Sequence, residues 1–164
     1  MAMTTTAART SGARQWLALA GFAVAVTVVA AIGGLGVAGT AEEYRSLRQP
    51  SWAPPSALFG PVWTVLYAMI AVAGWLVWRR VGVGPALFWY AAQLVLNAIW
   101  TPLFFGAGRY GLAFADIVAL WVLIGVTVLL FWRISRLAAA LLLPYWAWVS
   151  YAAALNLAIW QLNS

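Results

Sequence analysis

Five long apolar runs, separated by breaks rich in arginine, glycine or proline, organise this chain. An apolar stretch of about 20 residues can cross a hydrocarbon core as a helix. The pattern predicts spans over Trp16–Ala38, Phe59–Trp78, Pro85–Phe105, Gly111–Trp132 and Leu137–Leu162. The expected fold is an all-α integral membrane protein. One bundle of five transmembrane helices fills residues 16–164, behind a disordered tail of residues 1–15. Arg9 and Arg14 precede the first run as they would in a secretory signal, but the run exceeds a signal core. Its Ala30, Gly34 and Ala38 form a small-residue seam suited to close helix packing, so it reads as a mature span. Only the connection from Gly39 to Leu58 is long, which makes it the candidate lid. The other connections are short and predict that sequential helices are antiparallel neighbours.

Polar positions inside the runs show which faces look inward, because lipid offers an amide no hydrogen bond. In the third span Tyr90, Gln93, Asn97, Trp100 and Phe104 recur at helical spacing and share one face. Tyr145, Trp148, Ala152 and Asn156 do so in the fifth, and Trp63, Tyr67, Ile70 and Gly74 in the second. Two readings fit these stripes. Amides can staple helices together while aromatics fill the core, or rings around a few polar groups can line a small-molecule cavity. Trp16, Trp78, Trp132 and Trp160 lie at span ends, where indoles favour the headgroup region. Trp52, Trp63, Trp100 and Trp148 belong instead to the long loop or the inward stripes. Asp116, one to two turns inside the fourth span, is a functional candidate as an intramembrane acid. Arg109 and the helix N-terminus favour a structural, hydrogen-bonding role for it.

Composition narrows the chemistry. The chain is 66% hydrophobic and 7% charged, where soluble domains carry about 25% charged residues, so its surface faces lipid. Cysteine and histidine are both absent, which removes thiolate chemistry, the commonest metal ligand and the usual general base. No nucleophile–base pair, metal cluster or nucleotide loop is legible, so no catalytic or metal-binding residue is assigned and no cofactor is required. All nine basic residues are arginines, placed in ones and twos between apolar runs. That argues for membrane orientation and against nucleic acid, which calls for a continuous basic stripe. Arg9, Arg14, Arg79, Arg80, Arg133 and Arg136 fall on one side and Arg45, Arg48 and Arg109 on the other. In an inner membrane the N-terminus then faces the cytoplasm and the C-terminus lies outside.

Three stretches go further: "QPSWAPPSALFGPVWTVLY" (Gln49–Tyr67), "QLVLNAIWTPLFFG" (Gln93–Gly106) and "PYWAWVSYAAALN" (Pro144–Asn156). In this order and spacing they resemble the translocator protein family, whose bacterial members are called tryptophan-rich sensory proteins. The resemblance implies a five-helix bundle, commonly a homodimer, with a hydrophobic pocket roofed by the first loop, here of bacterial origin. It implies porphyrin ligands such as protoporphyrin IX and a role in tetrapyrrole regulation or stress response. Sterols and isoquinoline- or benzodiazepine-type drugs are ligands of the family's animal members. Carried over motif by motif, the pocket comprises Trp52, Pro54, Pro55, Phe59, Trp63, Tyr67, Gln93, Asn97, Trp100, Phe104, Trp148 and Ala152. Tyr145, Asn156 and Asp116 are secondary candidates, and Arg45 or Arg48 is a candidate partner for ligand propionates.

The chain departs from the family pattern twice. Glu43 precedes Tyr44 where many members have tryptophan, and Leu157 and Gln161 replace the Tyr and Lys/Arg of the animal sterol motif. Dedicated sterol recognition is therefore not expected. The lack of histidine disfavours axial haem ligation and favours metal-free porphyrin. Pro50, Pro54 and Pro55 stiffen the loop, and Pro61 falls in the first turn of the second helix, where its missing N–H costs little. A receptor or carrier is the leading expectation. The alternative is an enzyme degrading porphyrin with light and oxygen, with Trp63 or Trp148 as electron donor.

Overall fold

Each apolar run folds as a helix whose ends are set by local chemistry. The computed structural model describes residues 12–164. In chain order the elements are α1 (Gly12–Val37), α2 (Ala41–Ser46), a 3-10 turn (Ser56–Leu58), α3 (Phe59–Val81), α4 (Pro85–Thr101), α5 (Tyr110–Ile134) and α6 (Arg136–Asn163). Five of these are long and apolar enough to cross a membrane, and no strand occurs among the described residues. Gly82 closes α3 at φ 70, a left-handed turn that a Cβ would strain, and Pro85 opens α4. The Ser135 hydroxyl accepts from Ala138 N (3.3 Å) to cap α6.

Two boundaries differ from expectation for identifiable reasons. Residues 12–15, expected in the tail, form the first turn of α1, where Trp75 Nε1 donates to the Gln15 carbonyl (3.0 Å). The rest of the expected tail, with Arg9, lies outside the described residues. The third span leaves α geometry at Pro102 and finishes as a π-helical turn, Pro102–Gly106, in which Ala107 N donates to Pro102 O (2.9 Å). The wider turn shifts the register of every side chain that follows it.

Around the bundle the helices run α1, α3, α6, α5, α4 and back to α1. Sequential neighbours therefore pack together with one exception, which corrects the expectation from short connections. α3 and α4, although joined by a short turn, share little contact, and α1 packs against both. Near their turn they meet closely at Gly74. A Cβ there would lie 2.7 Å from Tyr90 Cζ and 2.9 Å from the Phe22 ring. Tyr90 cannot yield, because its hydroxyl donates to Ile70 O (3.0 Å) and its ring stacks on Phe131 at 5.8 Å. Gly74→Ala is expected to cost about 1–3 kcal/mol by overpacking, read as a lower unfolding temperature in detergent micelles. At the far end, toward the long loop, α1 and the spans containing α3 and α4 enclose a hollow between them.

Candidate functional site

The hollow is a cavity of about 430 Å³, within the range of about 300–1,000 Å³ typical of ligand sites. α1 contributes a wall of small residues, Ala30, Gly33, Gly34 and Val37. α3 contributes Phe59, Gly60, Trp63, Thr64 and Tyr67, and the span of α4 contributes Trp100, Thr101 and Phe105. The roof is the first loop, through Thr40, Ala41, Tyr44 and Ser56.

The rings around this space brace one another. Trp63 stacks on Tyr67 at 5.1 Å and 28°, and Tyr44 meets Phe59 at 6.0 Å and Phe105 at 5.7 Å. Trp100 stacks on Phe104 at 5.4 Å and meets Phe105 edge-on at 6.1 Å. Polar side chains fix the orientation of these rings from behind. Tyr67 donates to Asn97 Oδ1 (2.9 Å), Asn97 Nδ2 donates to the Tyr145 hydroxyl (2.9 Å), and Tyr145 donates to Gln93 Oε1 (2.7 Å). Trp100 Nε1 donates to Asn156 Oδ1 (3.1 Å), and Asn156 Nδ2 donates to Tyr110 O (2.9 Å). Burial raises the pKa of the Tyr44 hydroxyl, with Tyr151 adding to the effect. It therefore stays a neutral donor, and it has no protein partner.

Of the residues expected at the site, Phe59, Trp63, Tyr67 and Trp100 line the cavity. The others lie elsewhere. Gln93, Asn97, Tyr145 and Asn156 stand one layer behind the wall, so the two readings of the inward stripes merge: the amides staple helices, and in doing so they aim the cavity's rings. Phe104 packs beneath the wall between Trp100 and Tyr110, while Phe105 takes the cavity position. The π turn at Pro102 accounts for the exchange. Trp148 lies under Phe59 at 6.1 Å, and Ala152 is buried on α6 away from the cavity wall.

The loop corrects the expectation in a different way. Trp52 is 47% exposed, its ring edge-on to Tyr151 at 5.7 Å and its carbonyl accepting from the Tyr151 hydroxyl (3.0 Å). Trp52 therefore anchors the loop on α6, none of Trp52, Pro54 and Pro55 lines the cavity, and the short helix α2 provides the cover. A second anchor joins Arg48 to Asn163. Arg48 N donates to Asn163 Oδ1, and Asn163 Nδ2 donates to Arg48 O, both at 3.0 Å. The Arg45 and Arg48 side chains are exposed and do not line the cavity. Asp116 is half-buried with its Oδ2 unpartnered.

Among the lining residues that sequence reasoning missed are Tyr44, Phe105, Thr64, Thr101 and the α1 face. That face carried a signal: Ala30, Gly33, Gly34 and Val37 recur at helical spacing. The seam through Ala30, Gly34 and Ala38 was expected to pack helix on helix, yet it borders empty space. Close packing of α1 is made by Gly36, where a Cβ would stand 3.2 Å from Pro102 N.

Five membrane-spanning helices, three of them bordering an aromatic, ligand-sized hollow, define the class: a multi-pass integral membrane protein with an apolar cavity between its helices. Comparison with known sequences supplies the family. The TspO/MBR family pattern matches residues 22–161. The chain is 38% identical to the translocator protein of Sus scrofa, over 92% of this chain and 93% of that protein. It is 36% identical to the human translocator protein, over 92% and 93%. It is also 46% identical to the tryptophan-rich protein TspO of Chlorobaculum tepidum, over 73% and 78%. The chain belongs to the TspO/MBR family.

Proposed function

We propose that this protein is a membrane receptor or carrier that takes flat, apolar small molecules into the cavity between α1, α3 and α4. Metal-free porphyrin, protoporphyrin IX in particular, is the preferred ligand, in service of tetrapyrrole regulation or stress response. The observation that carries the reading is the pairing of Trp63 and Tyr67 on one wall with Trp100 and Phe105 on another, opposite an α1 face built from small residues. Flat rings gain area burial and offset stacking from such walls. Small residues on α1 leave room for them.

Arg45 and Arg48 are exposed and lie outside the cavity wall, so they would meet a ligand's charged periphery from the solvent side. With Arg79, Arg80, Arg133 and Arg136 at one end of the bundle, the N-terminus faces the cytoplasm in an inner membrane.

Titrating protoporphyrin IX into the protein in lipid nanodiscs tests the proposal. Saturable quenching of tryptophan fluorescence at one ligand per chain is expected. Quenching that rises without limit, as in empty nanodiscs, refutes it. The loop anchor gives a kinetic companion. Asn163→Ala removes two hydrogen bonds that hold the roof, each contributing about 0.5–1.5 kcal/mol. Ligand dissociation, followed by stopped-flow displacement, should accelerate about 5-fold or more.

A further inference from the structure

The first helix leans on different neighbours along its length. Away from the long loop it packs on α3: Trp75 Nε1 donates to Gln15 O (3.0 Å), and Trp16 stacks on Trp75 at 6.5 Å. A Cβ on Gly74 would stand 2.9 Å from the Phe22 ring, and that ring meets Tyr90 edge-on at 5.9 Å. These side chains close the bundle in that half. Beside the loop, α1 packs on the span of α4 instead. A Cβ on Gly36 would stand 3.2 Å from Pro102 N, and one on Gly33 3.5 Å from Thr101 Oγ1. Here α1 and α3 part. The Tyr67 hydroxyl is still 3.9 Å from a Cβ on Gly33, but a Cβ on Gly34 or Gly60 would meet no other element within 4 Å.

The lining of the cavity divides the same way. Gly33, Tyr44 and Trp100 are buried, and Trp63 and Tyr67 are half-buried. Gly34 and Val37 on α1, and Gly60 and Thr64 on α3, line the cavity and are exposed as well, and so is Ala41 at the roof. Exposure is thus gathered on the two helix edges that border the gap. Of these five residues only Thr64 carries a polar side chain, and its hydroxyl donates to Gly60 O (2.9 Å). Lipid can therefore cover the rim without leaving a side-chain donor unpaired.

Depth sets what can reach such an opening. At about 1.5 Å of rise per residue, Gly34 and Thr64 lie about 5 and 8 Å inside the ends of their helices. With 26 residues α1 is about 39 Å long, more than the hydrocarbon core of about 30 Å. Centred on the bilayer, its last turn stands among headgroups, and the gap spans the headgroup–acyl boundary on the first-loop side. Flat molecules with apolar faces and polar edges collect at that depth, as indole and phenol rings do.

We propose that the cavity opens sideways into the bilayer between α1 and α3, through a mouth rimmed by Gly34, Val37, Gly60 and Thr64, and that flat amphipathic ligands enter it from the leaflet beside the first loop. The packing of Phe22 on Gly74 and Tyr90 shuts the other half of the bundle, so the mouth serves one leaflet. The short helix α2 borders the mouth through Ala41 while it roofs the cavity. Loosening its anchor at Asn163 therefore widens this mouth and calls for no second route. The inference rests on reading the cavity as a ligand site, and it does not require porphyrin to be the ligand.

The test measures rates in nanodiscs by stopped flow, with protoporphyrin IX and pyrene as probes, each followed by its own emission against empty nanodiscs. Gly34→Phe and Thr64→Phe put a ring into the mouth. An obstruction raises the one barrier that entry and exit share, so association and dissociation should both slow, by about 10-fold or more. Slower dissociation is the signature, because a ring that merely took ligand space would weaken the complex and hasten release. Leu35→Phe and Val65→Phe add the same bulk to exposed positions off the rim and should change either rate by no more than about 2-fold. The chain has no cysteine, so Gly34→Cys with Thr64→Cys can be bridged selectively by a reducible dithiol cross-linker. The bridge should slow both rates, and reduction should restore them. Far-UV circular dichroism checks folding; should Gly34→Phe not fold, Thr64→Phe and the bridged pair decide. Unchanged association in the folded mouth variants, faster dissociation from them, or equal slowing in the two controls overturns the proposal. Pyrene that binds saturably and is slowed at the mouth, beside porphyrin that does not saturate, refutes only the porphyrin reading. Saturable porphyrin binding with rates indifferent to the mouth variants refutes only this one, and failure of both probes to saturate refutes both.

Discussion

Replacing Gly33 by leucine closes the cavity. Protoporphyrin affinity is expected to fall about 5- to 150-fold, the range that overpacking by about 1–3 kcal/mol produces, while the bundle keeps its unfolding temperature. A Cβ on Gly33 meets Thr101 Oγ1 at 3.5 Å and the Tyr67 hydroxyl at 3.9 Å, which is ordinary contact. The backbone therefore need not move, and the rest of the leucine has the cavity to enter. One turn further on, Gly36→Leu should behave differently. Its Cβ would stand 3.2 Å from Pro102 N and 3.3 Å from Pro102 Cα, so α1 must lift off its neighbour and the unfolding temperature should drop. An unchanged titration for a folded Gly33→Leu protein removes the cavity from consideration as the binding site.

The second large effect separates two tryptophans that the sequence treats alike. Trp63→Ala takes away a ring that lines the cavity, stacks on Tyr67 and meets Tyr145 edge-on at 6.1 Å. Aromatic anchors of this kind contribute about 2 kcal/mol or more to binding, so a loss of about 30-fold is expected. Trp52→Ala removes a ring that is 47% exposed and packed on Tyr151. It should change affinity by no more than about 2-fold, as surface substitutions do. The ligand's own absorbance should be followed in both cases, so that deleting an indole leaves the signal intact. Equal losses for both variants would return Trp52 to the cavity and discard the arrangement described above.

The inward stripes show how far periodicity reaches. Spacing placed Asn97 and Trp100 on one face, and both are buried there. It could not say that the ring borders the cavity while the amide holds rings from behind, because that depends on the reach of Tyr67 and Tyr145 from two other helices. Phe104 and Phe105 make the same point over a shorter distance. A helix continued regularly aims Phe104 with Trp100, and one π turn beginning at Pro102 hands the cavity position to its neighbour. The proline-rich loop was legible as stiff. Where it attaches was not, since its anchors, Tyr151 and Asn163, lie 99 and 115 residues away in the chain.

What the chain by itself determined was the number of spans, their helical form and their amphipathic faces. The bilayer imposes those locally: each segment must satisfy its own backbone hydrogen bonds and match the hydrocarbon with its own side chains. The tertiary structure decided which face was left empty. A cavity is the volume that neighbouring helices fail to fill, so it belongs to no single segment. Here it exists because α1 brings glycine and alanine to the gap left where α3 and α4 make little contact.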